Sequence, residues 1–259
     1  MRRNETCLVV LVLLMALGCE EKAITFDLHK RTPQESALYA MKSTDADLRY
    51  KTLVELAKSK ALKDDWAVKA MLIVARSDPS PSVRALAVHN LGRVGDKRVL
   101  AMLVEAMDDP EDRVRLEAAW GLSQMNIVES GAEAKDIRSA QSVLLQALSS
   151  DVCVDVRLNA ARALGQFKDR MVLKALIAAL KDTDFAVRYE SELSLVKLTG
   201  RTFQGNSGRW VAWMDETKDP FQDAGRVPPE LAQPKRNLFQ QTGDGLYQFY
   251  LDWQGPAKR

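Results

Sequence analysis

"DPSPSVRALAVHNLG" (Asp78–Gly92) recurs with variations as "DPEDRVRLEAAWGLS" (Asp109–Ser123), "DVCVDVRLNAARALG" (Asp151–Gly165) and "DTDFAVRYESELSLV" (Asp182–Val196). Each copy opens with an aspartate and carries a Val-Arg pair that begins five residues later. With a fainter Leu48-Arg49 pair upstream, successive arginines are 35, 31, 42 and 31 residues apart. A period of about 30–40 residues marks a stack of short helical units, none able to bury its apolar face alone.

Within each unit the apolar positions follow helical spacing. Val83, Ala87 and Leu91 lie four residues apart, as do Val114, Ala118 and Leu122, and Val156, Ala160 and Leu164. The last unit has Ser191 between Val187 and Leu195. At 100° per residue these positions form one stripe about 80° wide, and its small central residue lets a neighbouring helix approach closely. The opening aspartate, followed by Pro79 or Pro110 in two copies, is turn and helix-start chemistry, because a carboxylate caps free N–H groups. A second apolar helix precedes each Val-Arg helix, as in "KRVLAMLVEAM" (Lys97–Met107) and "RMVLKALIAAL" (Arg170–Leu180). At the front, "TPQE" (Thr32–Glu35) has the form of a capping box with proline in the first turn.

The specific pattern, Asp-x4-Val-Arg-x2-Ala-x3-Leu-Gly at Asp78–Gly92 and Asp151–Gly165, resembles HEAT repeats across residues 33–199. The resemblance is to the short kind first described in phycobilisome lyases. Ser123 and Val196 stand where the third and fifth units would have the glycine. The resemblance implies an all-α fold, a right-handed α-solenoid (α-α superhelix) of about five HEAT-like helix pairs. It also implies that Asp78, Arg84, Asp109, Arg115, Asp151, Arg157, Asp182 and Arg188 form a structural ladder between repeats, and that the Val-Arg helices line the concave face.

The two ends differ from the repeats. "MRRNETCLVVLVLLMALGC" has two arginines, an apolar run from Leu8 to Leu17 and a small Gly18 before Cys19. The run is too short to span a bilayer and has the layout of a secretory signal. "ALGC" resembles a bacterial lipobox, which implies cleavage before Cys19 and lipidation of its thiol. Residues 1–18 are thus expected to be a lipoprotein signal peptide and 19–32 a polar tether. The chain is expected to sit in the bacterial cell envelope, membrane-bound through its lipid. Residues 200–259 are expected to form an irregular, aromatic-rich cap. "LTGRTFQGNSGRWVAWMDE" (Leu198–Glu216) resembles a segment that closes HEAT-type arrays in planctomycete-like bacterial proteins. In "GLYQFYLDW" (Gly245–Trp253) Tyr247, Phe249, Leu251 and Trp253 alternate with the residues between them, the period of an extended segment. Two readings stay open for it: folding back on the solenoid, or adding to a partner.

Chemistry for catalysis is sparse. The net charge of +2 gives no field that points to nucleic acid. His29 and His89 are the only histidines, no cluster has metal-ligand spacing, and no glycine loop cradles phosphate. Ser194–Lys197 fits a bare S-x-x-K pattern but lacks its companion motifs. Cys153 is flanked by Asp151 and Asp155, which favour the unreactive thiol. No cofactor, metal, nucleic acid or small-molecule substrate is therefore expected, and no enzyme activity. Function is expected on the face away from the stripe, where His89, Arg93, Glu117, Trp120, Gln124, Arg162 and Gln166 are the candidate partner-binding residues. His89, Trp120 and Arg162 occupy one position on successive repeats, an aromatic anchor with polar flanks. About eleven extra residues in "NIVESGAEAKDIRSAQ" (Asn126–Gln141) are expected to map to one edge, either as a tolerated loop or as a contact with a partner. The expected function is a non-enzymatic scaffold holding a protein partner of unknown identity. The alternative is a chaperone-like or regulatory subunit of an envelope enzyme or cofactor protein.

Overall fold

The computed structural model describes residues 32–228 and residue 231. The signal segment 1–18, Cys19, the tether up to residue 31 and the 246–253 segment lie outside the described residues. Among the described residues there are eleven α-helices and no strand. From α3 on, the helices pair in chain order. The first two helices are α1 (Pro33–Met41) and α2 (Ala46–Lys58), the second pair is α3 (Asp65–Ser77) with α4 (Pro81–Val94), and the third α5 (Leu100–Ala106) with α6 (Asp112–Gln124). The fourth pairs α7 (Ala134–Ser150) with α8 (Val154–Leu164), and the fifth α9 (Arg170–Ala179) with α10 (Phe185–Thr199). A 3-10 turn (Lys60–Lys63) links α2 to α3, and α11 (Ser207–Glu216) follows the last pair.

Local chemistry starts these helices. At the head of α1 the Thr32 N–H donates to Glu35 Oε2 at 2.8 Å and the Glu35 N–H to Thr32 Oγ1 at 3.2 Å, a reciprocal capping box. Pro81 occupies the first turn of α4, where its missing N–H is harmless. The sequence stripe becomes the core: Val83, Val114, Val156 and Val187 are buried together with Ala87, Ala118, Ala160, Leu91, Leu122, Leu164 and Leu195. The second helices form one layer and the first helices the other, with the second helices packed more closely on their own kind. Small residues allow this closeness. A Cβ built on Gly92 would lie 2.8 Å from the Gly121 Cα, so α4 and α6 cross there almost backbone to backbone.

Arginine and aspartate tie each repeat to the next. Arg84 Nε and Nη2 donate to Asp109 at 2.9 Å each, Arg115 to Asp151 at 2.8 and 3.1 Å, and Arg157 to Asp182 at 2.8 and 3.0 Å. The third edge of each guanidinium turns back to its own repeat. Arg84 Nη1 donates to the Asp78 carbonyl, Arg115 Nη1 to that of Asp109, Arg157 Nη1 to that of Asp151, and Arg188 Nη1 to that of Asp182. Each aspartate also accepts an N–H two residues on, at Ser80, Glu111, Cys153 and Asp184, which shapes the turn into the helix.

The row begins one repeat earlier than the Val-Arg motif does. Arg49 Nε and Nη2 hold Asp78 at 2.6 and 2.8 Å, and this pair is the most buried of the set. Six residues before Arg49, where the other repeats have aspartate, stands Ser43. Its hydroxyl accepts the Asp45 N–H and its carbonyl accepts from Arg49, so the turn survives without a carboxylate.

The extra residues before the fourth pair are only half loop. Residues 126–133 turn across the edge, with Ile127 fully buried, and then α7 runs for 17 residues. The expected loop over Asn126–Gln141 is corrected from Ala134 on. Ala140, Leu144, Ala147 and Leu148 continue a helical apolar stripe and are buried, so the insertion lengthens α7.

α11 covers part of the far end. Trp210 is fully buried, its ring N–H donating to Glu192 Oε2 at 2.7 Å. Phe203 meets Trp210 edge to face at 4.8 Å between centroids, and Trp213 meets it at 5.6 Å. Glu192 also accepts from the Thr202 hydroxyl and the Phe203 N–H. Residues after α11 return to the end of α10, where Gly200 (φ +68°) passes so near Asp223 that a Cβ would lie 2.2 Å from its carbonyl oxygen.

Removing one partner of a largely buried ion pair leaves the other charge uncompensated, so Asp151→Ala should cost about 3 kcal/mol in urea unfolding. Glu105→Ala, which breaks the exposed Arg76–Glu105 pair, should change stability far less. The pKa values of Asp109, Asp151 and Asp182 are all held below the usual carboxylate value. At Asp109 and Asp151 burial acts upward most strongly, but the arginine and backbone N–H bonds together with nearby positive charge outweigh it. At Asp182 the bond from Arg157 dominates directly. Carboxylates depressed in the fold stabilise it above their unfolded pKa, about 4, and that stability is lost as pH falls through the folded value. The melting temperature should therefore hold down to about pH 5 and drop below about pH 4, with a shallower drop in Asp151→Asn.

Candidate partner-binding surface

The candidate residues lie on the second-helix layer, and several hold one another. His89 on α4 stacks on Trp120 of α6, with centroids 4.5 Å apart and planes 11° from parallel. Nδ1 of His89 lies 2.8 Å from Glu117 Oε2, so a carboxylate and an indole from one helix grip an imidazole from the preceding one. Trp120 also lies over Gly92, where an added Cβ would come within 3.1 Å of the indole. Glycine at that place makes room for the ring. Two repeats on, Arg162 of α8 donates Nε and Nη2 to Glu190 of α10 at 3.0 and 2.9 Å. The side chain of Arg162 is 43% exposed, so its plane is fixed on one edge and open on the other.

His89–Glu117 and Arg162–Glu190 share one geometry. Both join residues 28 positions apart, from one helix of the layer to the next. Trp120 interrupts this second row between them. It is half-buried, and its ring N–H makes no hydrogen bond among the described residues. Indole and guanidinium thus stand on adjacent helices as the broad planar groups of this face.

The other candidates have different surroundings. Arg93 donates to the Ala57 carbonyl at 3.1 Å across the repeat boundary and is otherwise exposed. Gln124 is exposed and touches only Ser123 Oγ at 3.1 Å. The Gln166 side-chain oxygen accepts the Ile127 N–H at 2.6 Å, which fastens the 126–133 turn to α8. Gln166 therefore holds the edge of the surface. Around Gln124, Arg162 and Gln166 lies a groove of about 700 Å³, its rim also including Asn126, Glu129, Lys168 and Lys197. Lys168 and Lys197 are exposed and make no ion pair among the described residues, so the groove is positive at this end. Ser194, of the S-x-x-K match, is buried and its hydroxyl donates to the Ala161 carbonyl at 2.8 Å, an interhelical bond. Among the described residues no His, Cys, Asp or Glu cluster could hold a metal ion, and no helix is long and apolar enough to cross a membrane.

Sequence reasoning missed Arg49 as a member of the arginine–aspartate row and Glu192 as the anchor of the cap. The first had a signal, since Leu48-Arg49 keeps the Val-Arg phase and Asp78 follows 29 residues later. The second had none, because Glu192 meets Trp210 only once α11 folds back.

Designed armadillo repeat proteins and an engineered protein share this architecture. A designed armadillo repeat protein aligns with a TM-score of 0.54 at 15% identity, over 74% of this chain and 95% of that one. A second designed armadillo repeat protein, solved in complex with the peptide (KR)4, aligns with a TM-score of 0.51 at 17% identity, over 71% of this chain and 87% of the other. An engineered protein from a structural genomics programme gives a TM-score of 0.51 at 18% identity, over 71% and 86% of the two chains. No curated protein matches the chain in sequence. The family model described as HEAT repeats matches residues 68–137 and 142–203, the part that holds the four full copies of the motif and the surface built on them, and the chain belongs to the HEAT repeat family.

Proposed function

We propose that this protein is a non-enzymatic, lipid-anchored scaffold of the bacterial cell envelope that holds a protein partner along its second-helix face. The observation that carries the partner surface is the His89–Trp120 stack followed by the half-open Arg162. Together they offer a rigid aromatic plane and a pre-oriented guanidinium on adjacent repeats. Such groups bind with little loss of side-chain freedom, which is why Trp and Arg dominate binding hot spots. The (KR)4 complex of the designed armadillo protein supports peptide capture as a use of this architecture. Lys168 and Lys197 at the groove argue for acidic segments in the partner of this chain. The basic, apolar and cysteine-ended run of residues 1–19 supports the envelope address, with Cys19 as the lipidated residue.

Affinity capture with the full chain in its own membrane fraction tests the surface. Trp120→Ala and Arg162→Ala should each lower recovery of the partner by about ten-fold while leaving the melting temperature within a few degrees. Unchanged recovery from both variants rejects the surface. For the anchor, the mature chain should begin at Cys19 and carry the mass of a diacylglyceryl group, and Cys19→Ser should release the protein from membranes. An unmodified Cys19 rejects the anchor.

A further inference from the structure

We propose that the open end of the arginine row, at Arg188, docks the aspartate-opened start of a helix from a separate protein. Inside the chain the same site is built and filled four times, by Asp78, Asp109, Asp151 and Asp182 on Arg49, Arg84, Arg115 and Arg157. Arg188 is set in the same way. Its Nη1 donates to the Asp182 carbonyl at 2.8 Å and to the Thr183 carbonyl at 3.0 Å. Its Nε and Nη2, which hold the carboxylate in every other repeat, meet no carboxylate among the described residues. A guanidinium fixed on one edge presents the other two N–H groups in the fork that fits a carboxylate.

The surface around it is also that of an unfilled repeat boundary. Val88, Ala119 and Ala161 are fully buried, whereas their counterpart in α10 is Glu192, taken up by the cap. One turn earlier Ala85 is buried and Leu116 and Leu158 are half-buried, but their counterpart Tyr189 is 56% exposed and Phe185 beside it 69% exposed. Their rings lie 6.0 Å apart, and the Arg188 guanidinium sits 5.7 Å from the Phe185 centroid. Among the described residues the cap thus covers part of the terminal face and leaves the Arg188 guanidinium beside the exposed Phe185 ring. The occupant this fits has an aspartate in the turn before a helix and an apolar residue in its first turn. A second copy of this chain stacked head to tail lacks the aspartate at the matching place, because Ser43 stands six residues before Arg49 and the nearby Asp45 is spent on capping the Asp47 N–H.

A labelled peptide with the sequence of residues 109–124, whose aspartate Arg84 holds within the chain, serves as the probe for anisotropy titration with the full protein. Saturable binding is expected, weakened about ten-fold or more by Arg188→Gln. The same loss is expected when the probe carries Asp109→Asn, which leaves the protein untouched. The two losses should not add in the double variant, since both remove one contact. Trp120→Ala should leave probe binding unchanged, so this site and the second-helix surface stand or fall separately. Absence of binding, binding indifferent to Arg188 or to the probe's aspartate, or loss with Trp120→Ala would each overturn the proposal. So would a gain of about ten-fold on changing Asp252 to Asn in the full chain, since that would give the place to the chain's own tail.

Discussion

An arginine whose Nε lies 2.6–2.9 Å from an aspartate of the next repeat, while its Nη1 holds the carbonyl that opens its own repeat, joins three chain segments through one side chain. The aspartate adds a fourth connection by accepting the N–H two residues along. Neither group stands alone comfortably, since each would be a charge with little water around it. The pair therefore forms only when one repeat is seated on the next in a single register. Apolar stripes of Val, Ala and Leu supply most of the attraction between helices, but they tolerate sliding, and the fork-shaped contact does not. Position along the stack is set by charge, and closeness by small residues such as Gly92 and Gly121.

With register fixed this way, the remaining positions are free to differ. His89, Trp120 and Arg162 occupy equivalent places, yet one is a ring in a stack, one the plate it lies on, and one a guanidinium held by Glu190. Repetition makes them neighbours, and variation gives each a separate chemistry. Gln166 shows the limit of reading such a row by position alone. It falls in the same phase as Gln124 but is committed to the Ile127 backbone, because the 126–133 turn arrives beside it from a distant part of the sequence.

The ends of the array show what the internal contacts require. At the front, Ser43 keeps the turn and drops the charge. At the back, Glu192 stands where the earlier repeats bury Val88, Ala119 and Ala161. Its carboxylate holds the Thr202 hydroxyl, the Phe203 N–H and the Trp210 ring N–H. Arg188 alone keeps the internal pattern, and that mismatch between a terminal face and an internal side chain distinguishes it from the other arginines.

The repeat, its helices and its buried stripe were legible in the amino-acid sequence, because all three follow from local spacing: four residues for a helical stripe and some thirty for a repeat. The Thr32–Glu35 capping box was legible for the same reason, its partners being three residues apart. Less visible were the helical half of the insertion, where polar Lys135, Asp136 and Arg138 mask the apolar stripe of α7, and the roles of Arg49, Gln166 and Glu192. Those roles depend on partners about 30 residues or more away for Arg49 and Gln166, and on a returning helix for Glu192. The chain's own order thus determined which residues build the stack. Only the tertiary structure decided which side chains the stack leaves open, since a hydrogen bond already made within the molecule removes a group from its surface.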